Sequence, residues 1–341
     1  MRAQSTSLRP CQTGHRIFRP EGVRTLRNFA PANRCLVWLF FLIVLPVFAQ
    51  TPASRQLQPR QDNQDTIRIN VDLVVLHATV QNSERIPVSG LRKENFQVYE
   101  DGVLQQINSF SHEDIPVTIG LVIDNSGSMR PKRLEVITAA LAFVRSSNPK
   151  DQLFVVNFNE HVSFGLPNNM PFTGDVAHLE AALSKVAAGG MTALYDAVAA
   201  GLNHLKKGKQ DRQALIVVSD GADNASLHNQ AWIMDLARQS EAMIYTIGLF
   251  DQSDHDRNLS LLRQLAKATG GEAFLPGSVK DVVPLCERIA RDIRNQYTIT
   301  YAPMNIKYDG KYRTIQVKVE APGRERLSAR TRAGYHAPLK P

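Results

Sequence analysis

The chain has 341 residues, 43% hydrophobic and 21% charged, with 14 Phe, 8 Tyr and 2 Trp. This is globular composition with material for a core, which excludes a disordered chain, and three Cys exclude a small disulfide-stapled scaffold. The net charge of +8 is concentrated at one end: residues 1–49 hold seven Arg against one acid, Glu21, and so account for +6 of it. The nearly neutral remainder offers no basic patch, and no nucleic-acid partner is expected.

Cys35 to Ala49 reads CLVWLFFLIVLPVFA, an uncharged run of 15 residues after the cationic stretch. It falls short of the roughly 20 residues a membrane-spanning helix needs. It ends at Val47-Phe48-Ala49, a small-x-small-like cleavage pattern. Residues 1–49 therefore read as a secretory signal peptide. The expected location is periplasmic, cell-envelope or extracellular. A membrane contact is expected only if the signal stays uncleaved and acts as an anchor. Cys35 stands at the start of the apolar run, so no lipobox closes it. Cleavage removes Cys11 and Cys35 and leaves Cys286 alone, so no internal disulfide is expected. Export without disulfides fits a bacterial envelope or secreted protein.

Residues 50–65 are polar, rich in Gln and Pro, and read as a linker. From 66 to 115 the pattern is β. Ile67, Ile69, Val71, Leu73 and Val75 alternate with polar residues. Phe96 to Tyr99 runs into Glu100-Asp101-Gly102, a hairpin signal. Over 116–295 nearly continuous apolar runs (Val117–Ile123, Leu153–Phe158, Ala214–Ser219, Met243–Gly248) alternate with helical periodicity. The first helix is expected to bury Leu134, Ile137, Leu141 and Val144. Later helices are expected over about 176–188, 193–206, 229–240, 258–268 and 279–294. Strand–helix–strand order with strands buried on both faces predicts a doubly wound, mostly parallel α/β sheet. Strand patterns return over 296–336, at Tyr297–Tyr301, Ile315–Val319 and Ala329–Tyr335. Each flanking β segment is too short for a core of its own. The expectation is one small discontinuous β-rich domain, 66–115 with 296–336, into which the α/β domain is inserted.

The first α/β strand ends in Asp124-Asn125-Ser126-Gly127-Ser128. Open parallel sheets place their sites beyond the carboxyl ends of the strands. Asp-x-Ser-x-Ser puts a carboxylate and two hydroxyls on one loop, with Gly127 expected to permit a sharp turn. Thr192 follows Gly189-Gly190-Met191 and opens a helix. Asp220 follows the strand Leu215–Ser219 at the same sheet edge. Asp124, Ser126, Ser128, Thr192 and Asp220 supply five hard oxygen donors, which suits Mg2+ and leaves a sixth position for water or a partner's group. Asp196 lies one turn beyond Thr192, and Asp223 and Asn224 follow Asp220; these are expected at most to support the metal-binding residues from behind.

This set resembles the metal-ion-dependent adhesion site of von Willebrand factor A-type (VWA) domains, and no position departs from the pattern. Thr192 to Ala197 and Ser219 to Asp223 are similar to the flanks of bacterial versions. The β segments resemble one subgroup, the VWFA-related proteins abundant in acidobacteria. Gly90 to Phe96 with Val98 to Gly102 looks like its N-terminal signature, and Gln296 to Tyr301 with Ala333-Gly334-Tyr335 like its end. The resemblance implies binding and not catalysis. In the family the hydroxyls ligate Mg2+ or Mn2+, the two Asp act directly or through water, and a protein partner's Asp or Glu completes the shell.

Two other readings compete. A Mg2+-dependent hydrolase needs a nucleophile or base beside the metal, and Asp-x-Ser-x-Ser spends its groups on the ion and supplies no evident base. An envelope scaffold would use the β domain for assembly, with no metal-dependent binding. Asp251 to Asp256 lacks the glycine and the closing glutamate of a calcium loop. No P-loop, zincin motif or Gly-x-Ser-x-Gly elbow occurs.

Overall fold

The computed structural model of this chain describes residues 73–250, 258–324 and 326–339. The signal, the linker, Ile67, Ile69, Val71 and the acidic run 251–256 lie outside the described residues.

The chain enters through four strands: β1 (Val74–Gln81), β2 (Phe96–Glu100), β3 (Val103–Gln105) and β4 (Ile107–Ser111). Asp101 and Gly102 both take left-handed φ, 49° and 80°, between the paired residues Glu100 and Val103. That is the two-residue turn whose twist matches paired strands, and it explains Asp-Gly at this point.

The α/β elements follow: β5 (Val117–Asp124), α1 (Arg133–Ser146), β6 (Gln152–Phe158), β7 (Val162–Phe164), α2 (Val176–Ser184), α3 (Leu194–Leu205), β8 (Arg212–Ser219), α4 (Gln230–Gln239), β9 (Met243–Gly248), α5 (Leu259–Thr269), β10 (Ala273–Phe274) and α6 (Val282–Arg294). The sheet order is β10-β9-β8-β5-β6-β7, parallel throughout except for the antiparallel edge strand β7. Every residue of β5 is buried, as a central strand covered on both faces requires. The crossover from β5 to β6 runs opposite in direction to those from β6 to β8 and from β8 to β9. With right-handed crossovers this sends α1 to one face and α3, α4 and α5 to the other. α1 packs beside α2 and α6, and α4 lies between α3 and α5. Side chains of Asp175, Asn229 and Asn258 cap α2, α4 and α5 by accepting from first-turn amides.

Four strands close the chain: β11 (Tyr297–Tyr301), β12 (Tyr312–Val319), β13 (Ser328–Arg330) and β14 (Gly334–His336). Val74–Ala78 of β1 pairs antiparallel with β11, and β12 pairs with β2, so strands from the two flanks share sheets. The sheet orders are β13-β1-β11-β4 and β14-β12-β2-β3. Their common core includes Leu76, Val80, Phe96, Val98, Tyr297, Ile299 and Val317. Asp292 on α6, fully buried, pairs with Arg330 of β13 at 3.0 Å, and Arg330 also reaches Glu272 at 3.2 Å.

Three local expectations are corrected. Leu134 is 74% exposed, because α1 turns Val136, Ala139, Ala140 and Phe143 toward the core and Leu134 falls outside that stripe. Ala329–Tyr335 is not one strand; β13 and β14 belong to different sheets. The predicted 176–188 helix ends at Ser184. Cys286 is buried and free, and burial pushes its thiol up to about 12. Among the described residues no helix is long and apolar enough to cross a membrane.

Candidate functional site

Asp124 is the last residue of β5 and Ser219 the last of β8. These strands are parallel neighbours, with Ile123 opposite Val218, so Asp124 and Ser219 arrive side by side. The helices that follow them leave on opposite faces, which opens a crevice at the carboxyl ends of the strands. The site is built in that crevice.

Each carboxylate of the site uses one oxygen to hold its own loop. Asp124 Oδ1 accepts from the Ser126 amide at 2.8 Å, and Asp220 Oδ1 from the Ala222 amide at 3.0 Å. The other oxygens face the hydroxyls. Ser219 Oγ donates to Asp124 Oδ2 at 2.6 Å, and Ser128 Oγ donates to Asp220 Oδ2 at 2.5 Å. Ser126 Oγ lies 3.2 Å from Ser128 Oγ. Four of the five expected metal-binding residues thus form one hydroxyl–carboxylate cluster, although Ser128 and Asp220 are 92 positions apart.

Thr192 is brought beside this cluster by its backbone and is buried. Gly189 N–H donates to Asn125 O at 2.8 Å, and Gly127 N–H to Gly190 O at 3.1 Å, which ties the 189–192 loop to the Asp-x-Ser-x-Ser loop. The Thr192 amide donates to Asn224 Oδ1 at 2.8 Å, and its carbonyl accepts from the amides of Asn224 and Ala225. Gly127 makes its turn without a left-handed φ. Residues 127–132 form a short 3-10 helix, and the left-handed glycines are Gly190 and Gly221, with φ of 82° and 83°. At Gly190 a side chain would also run into the Glu160 carboxylate, which accepts from the Met191 amide. The demand for glycine therefore falls on the two partner loops.

Asp196 and Asp223 spend their carboxylates on another task. Asp223 Oδ2 accepts from the Tyr195 amide at 2.9 Å and from Ser226 Oγ at 2.6 Å, and Ser226 Oγ accepts from the Asp196 amide at 3.1 Å. The loop after β8 thus caps the start of α3, where unpaired amides favour negative charge. Asp196 returns the contact, accepting from the Leu227 amide at 2.8 Å and from His228 Nδ1 at 2.7 Å. Sequence reading missed Ser219, whose only signal was a hydroxyl one position before Asp220. It also missed Asn125, whose Nδ2 donates to Ile123 O and Asn157 Oδ1 and whose Oδ1 accepts from Arg133.

Burial pushes the Asp124 carboxyl up to about 6, and the negative charge of Asp220 adds to the rise, against the hydrogen bonds from Ser219 and Ser126. Among the described residues no Arg or Lys forms a salt bridge with Asp124 or Asp220. The donors are hydroxyls and carboxylates only. Two buried carboxylates that repel each other, ringed by neutral oxygens, fit a small hard dication. A bound Mg2+ or Mn2+ would supply an electrophile for a partner's oxygen, held by Asp124, Ser126, Ser128, Thr192 and Asp220. Among the described residues no group of three or more His, Cys, Asp or Glu is placed to hold a metal ion.

Residues 119–222 match the family model of the von Willebrand factor type A domain. The match spans all five oxygen-donor residues. By that match, this part of the chain has the fold of a von Willebrand factor type A domain. An uncharacterized protein of Synechocystis sp. is 27% identical over 145 residues, 42% of this chain, and the match spans only about a third (34%) of that protein's length. Among solved structures, a von Willebrand factor type A protein from Catenulispora acidiphila is 14% identical, with a TM-score of 0.46, over 80% of this chain and 75% of that one. An aerotolerance-related membrane protein from Bacteroides fragilis is 13% identical, with a TM-score of 0.42, over 52% of this chain and 98% of that one.

Proposed function

We propose that this protein is an exported, metal-dependent protein-binding module without enzymatic activity. Mg2+ or Mn2+ sits at Asp124, Ser126, Ser128, Thr192 and Asp220, and a partner protein completes the shell with an Asp or Glu carboxylate. The observation that carries this reading is the meeting of two hydroxyl–carboxylate pairs at adjacent strand ends, Ser128 with Asp220 at 2.5 Å and Ser219 with Asp124 at 2.6 Å, with the Ser126 amide on Asp124 and its hydroxyl beside Ser128. Two carboxylates nearly cancel a dication, yet an open coordination position keeps it electrophilic enough to attract a third. A hydrolase would need a general base that is not itself taken up by the metal, and the carboxylates here, Asp124 and Asp220, are the ones the metal would take, so hydrolysis has less support. Export rests on the apolar run Cys35–Ala49 behind its arginines.

The experiment is thermal unfolding of the protein with Mg2+, Mn2+ or EDTA, wild type beside Asp124→Ala. A ligand at a hundred times its Kd stabilises by about 2.7 kcal/mol. For a domain of this size that is a rise of roughly 5–10 °C. The expected result is a rise that Asp124→Ala abolishes. Equal curves in metal and EDTA, together with partner binding unaffected by EDTA, would overturn the reading in favour of a metal-independent scaffold.

A further inference from the structure

The ground around the metal-binding cluster is uneven. On the α3 side it is apolar and open: Met191, next to Thr192, is 54% exposed, Leu227 is 92% exposed and Trp232 is 39% exposed. Leu227 is not a loose loop tip. Its amide is bonded to Asp196, and the following residue, His228, is held by the same carboxylate. The His228 ring stacks on Trp232 with 3.7 Å between centroids and 17° between planes. The same loop is bonded to Thr192 through Asn224. The hydrogen bonds of Asp196, Asp223, Ser226 and Asn224 therefore fix two large apolar side chains beside the cluster, in water. Ordering them there gains nothing for folding, and rigid exposed anchors of this kind gain their stabilisation when a partner covers them. At the start of the 189–192 loop stands exposed Arg130, two residues beyond Ser128, steadied by a bond from Nε to Ala188 O at 3.3 Å and lying against Gly189.

We propose that the docking face continues from the metal over Met191, Leu227 and Trp232, and that its occupant is an acidic protein segment in which the metal-binding Asp or Glu is followed by large apolar side chains. This rests on the metal-binding reading above. The charge pattern is complementary where the acid goes: a bound dication and Arg130 meet it, while the carboxylates beside Met191 and Leu227, Glu160 and Asp196, are taken up by backbone amides, which leaves the apolar side chains to meet a partner's apolar ones. Desolvating the metal and the rim together also strengthens the carboxylate–metal contact, because local polarity falls.

The test uses fluorescent synthetic peptides in Mn2+ and in EDTA: Glu followed by Leu and Trp, Glu followed by two Ser, and Gln followed by Leu and Trp. The expected result is Mn2+-dependent binding of the Glu-Leu-Trp peptide, about tenfold or more tighter than Glu-Ser-Ser, and no binding of the Gln peptide. Leu227→Ser and Met191→Ser are both at exposed positions. They are expected to keep the metal-induced rise in melting temperature while losing the preference for the apolar peptide. Equal binding of both Glu peptides, or an undiminished preference in both variants, overturns the docking face and leaves the metal reading standing. Failure of every peptide to bind despite a metal-induced rise overturns it as well. Loss of any metal effect on both melting and binding overturns the metal reading itself.

Discussion

Ser219 Oγ donates to Asp124 Oδ2 at 2.6 Å across the junction of two parallel strands, and it also accepts from the Gly221 amide at 3.0 Å. One hydroxyl therefore aims a buried carboxylate and holds the loop that carries the second carboxylate, Asp220. Ser219→Ala is expected to destabilise the protein by about 1–3 kcal/mol, the effect of leaving buried polar groups without a partner. It should also reduce the Mg2+-induced rise in melting temperature without abolishing it. Urea unfolding with and without metal measures both effects; an unchanged midpoint would show that Ser219 orients nothing.

Asp220→Asn separates stability from binding. Asp124 and Asp220 repel each other in the metal-free protein, and removing one charge relieves a cost on the order of 1 kcal/mol. The amide oxygen can still accept from the Ala222 amide, and Nδ2 can donate to Ser128 Oγ in place of the lost acceptor. In EDTA the variant should be at least as stable as wild type, while the stabilisation by Mg2+ disappears. A variant less stable in EDTA that still responds fully to metal would contradict this account.

Two buried groups outside the site predict opposing pH effects. Burial, with the charges of Arg212 and Arg332, lowers His77 to about 4. The unfolded chain takes up that proton near its ordinary value of about 6.5, so stability present above that pH is lost as pH falls toward 4, by a few kcal/mol at most. Burial raises Asp292 to about 6 despite Arg330 and Arg288. The folded state then holds the proton more tightly than the unfolded, and stability gains as pH falls from about 6 toward 4. Comparing unfolding free energies at about pH 4.5 and 7.5, near the acid end of the window and above it, tests both signs. His77→Gln should lessen the acid loss, and Asp292→Asn should deepen it.

Gly120 lies mid-way along β5, where a Cβ would meet Phe154 Cζ at 2.5 Å and Leu215 Cδ1 at 2.6 Å. Gly120→Ala overpacks the two strands beside β5 and is expected to cost about 1–3 kcal/mol. Because Asp124 ends the same strand, the metal-induced rise should also shrink. Chemical denaturation reads the first effect and thermal unfolding in Mg2+ the second.

Sequence by itself determined the elements whose cause is local. Continuous apolar runs marked the strands buried on both faces, and Asp101-Gly102 marked a turn that needs two left-handed residues. The clustering of Asp124, Ser126, Ser128 and Asp220 was legible because they stand at or just beyond the ends of β5 and β8, and sheet topology gathers such ends on one edge. Tertiary structure alone decided what depends on partners far along the chain. Leu134 matched the helical period yet faces water, since packing of α1 on the sheet and α6 selects a neighbouring stripe. The three-residue antiparallel edge strand β7 is too short to leave a periodic trace. Gly127 could be read as a turn residue, but the left-handed glycines around the site are Gly190 and Gly221, set by loops that meet only after folding. Asp196 and Asp223 lie close to the metal-binding residues in sequence. Their carboxylates instead bind the loop after β8 to the start of α3, because unpaired helix amides and a neighbouring loop are nearer to them than the cluster is. A carboxylate's type and spacing can be read from sequence; which amide or hydroxyl claims each of its oxygens is settled only when distant backbone comes within 3 Å.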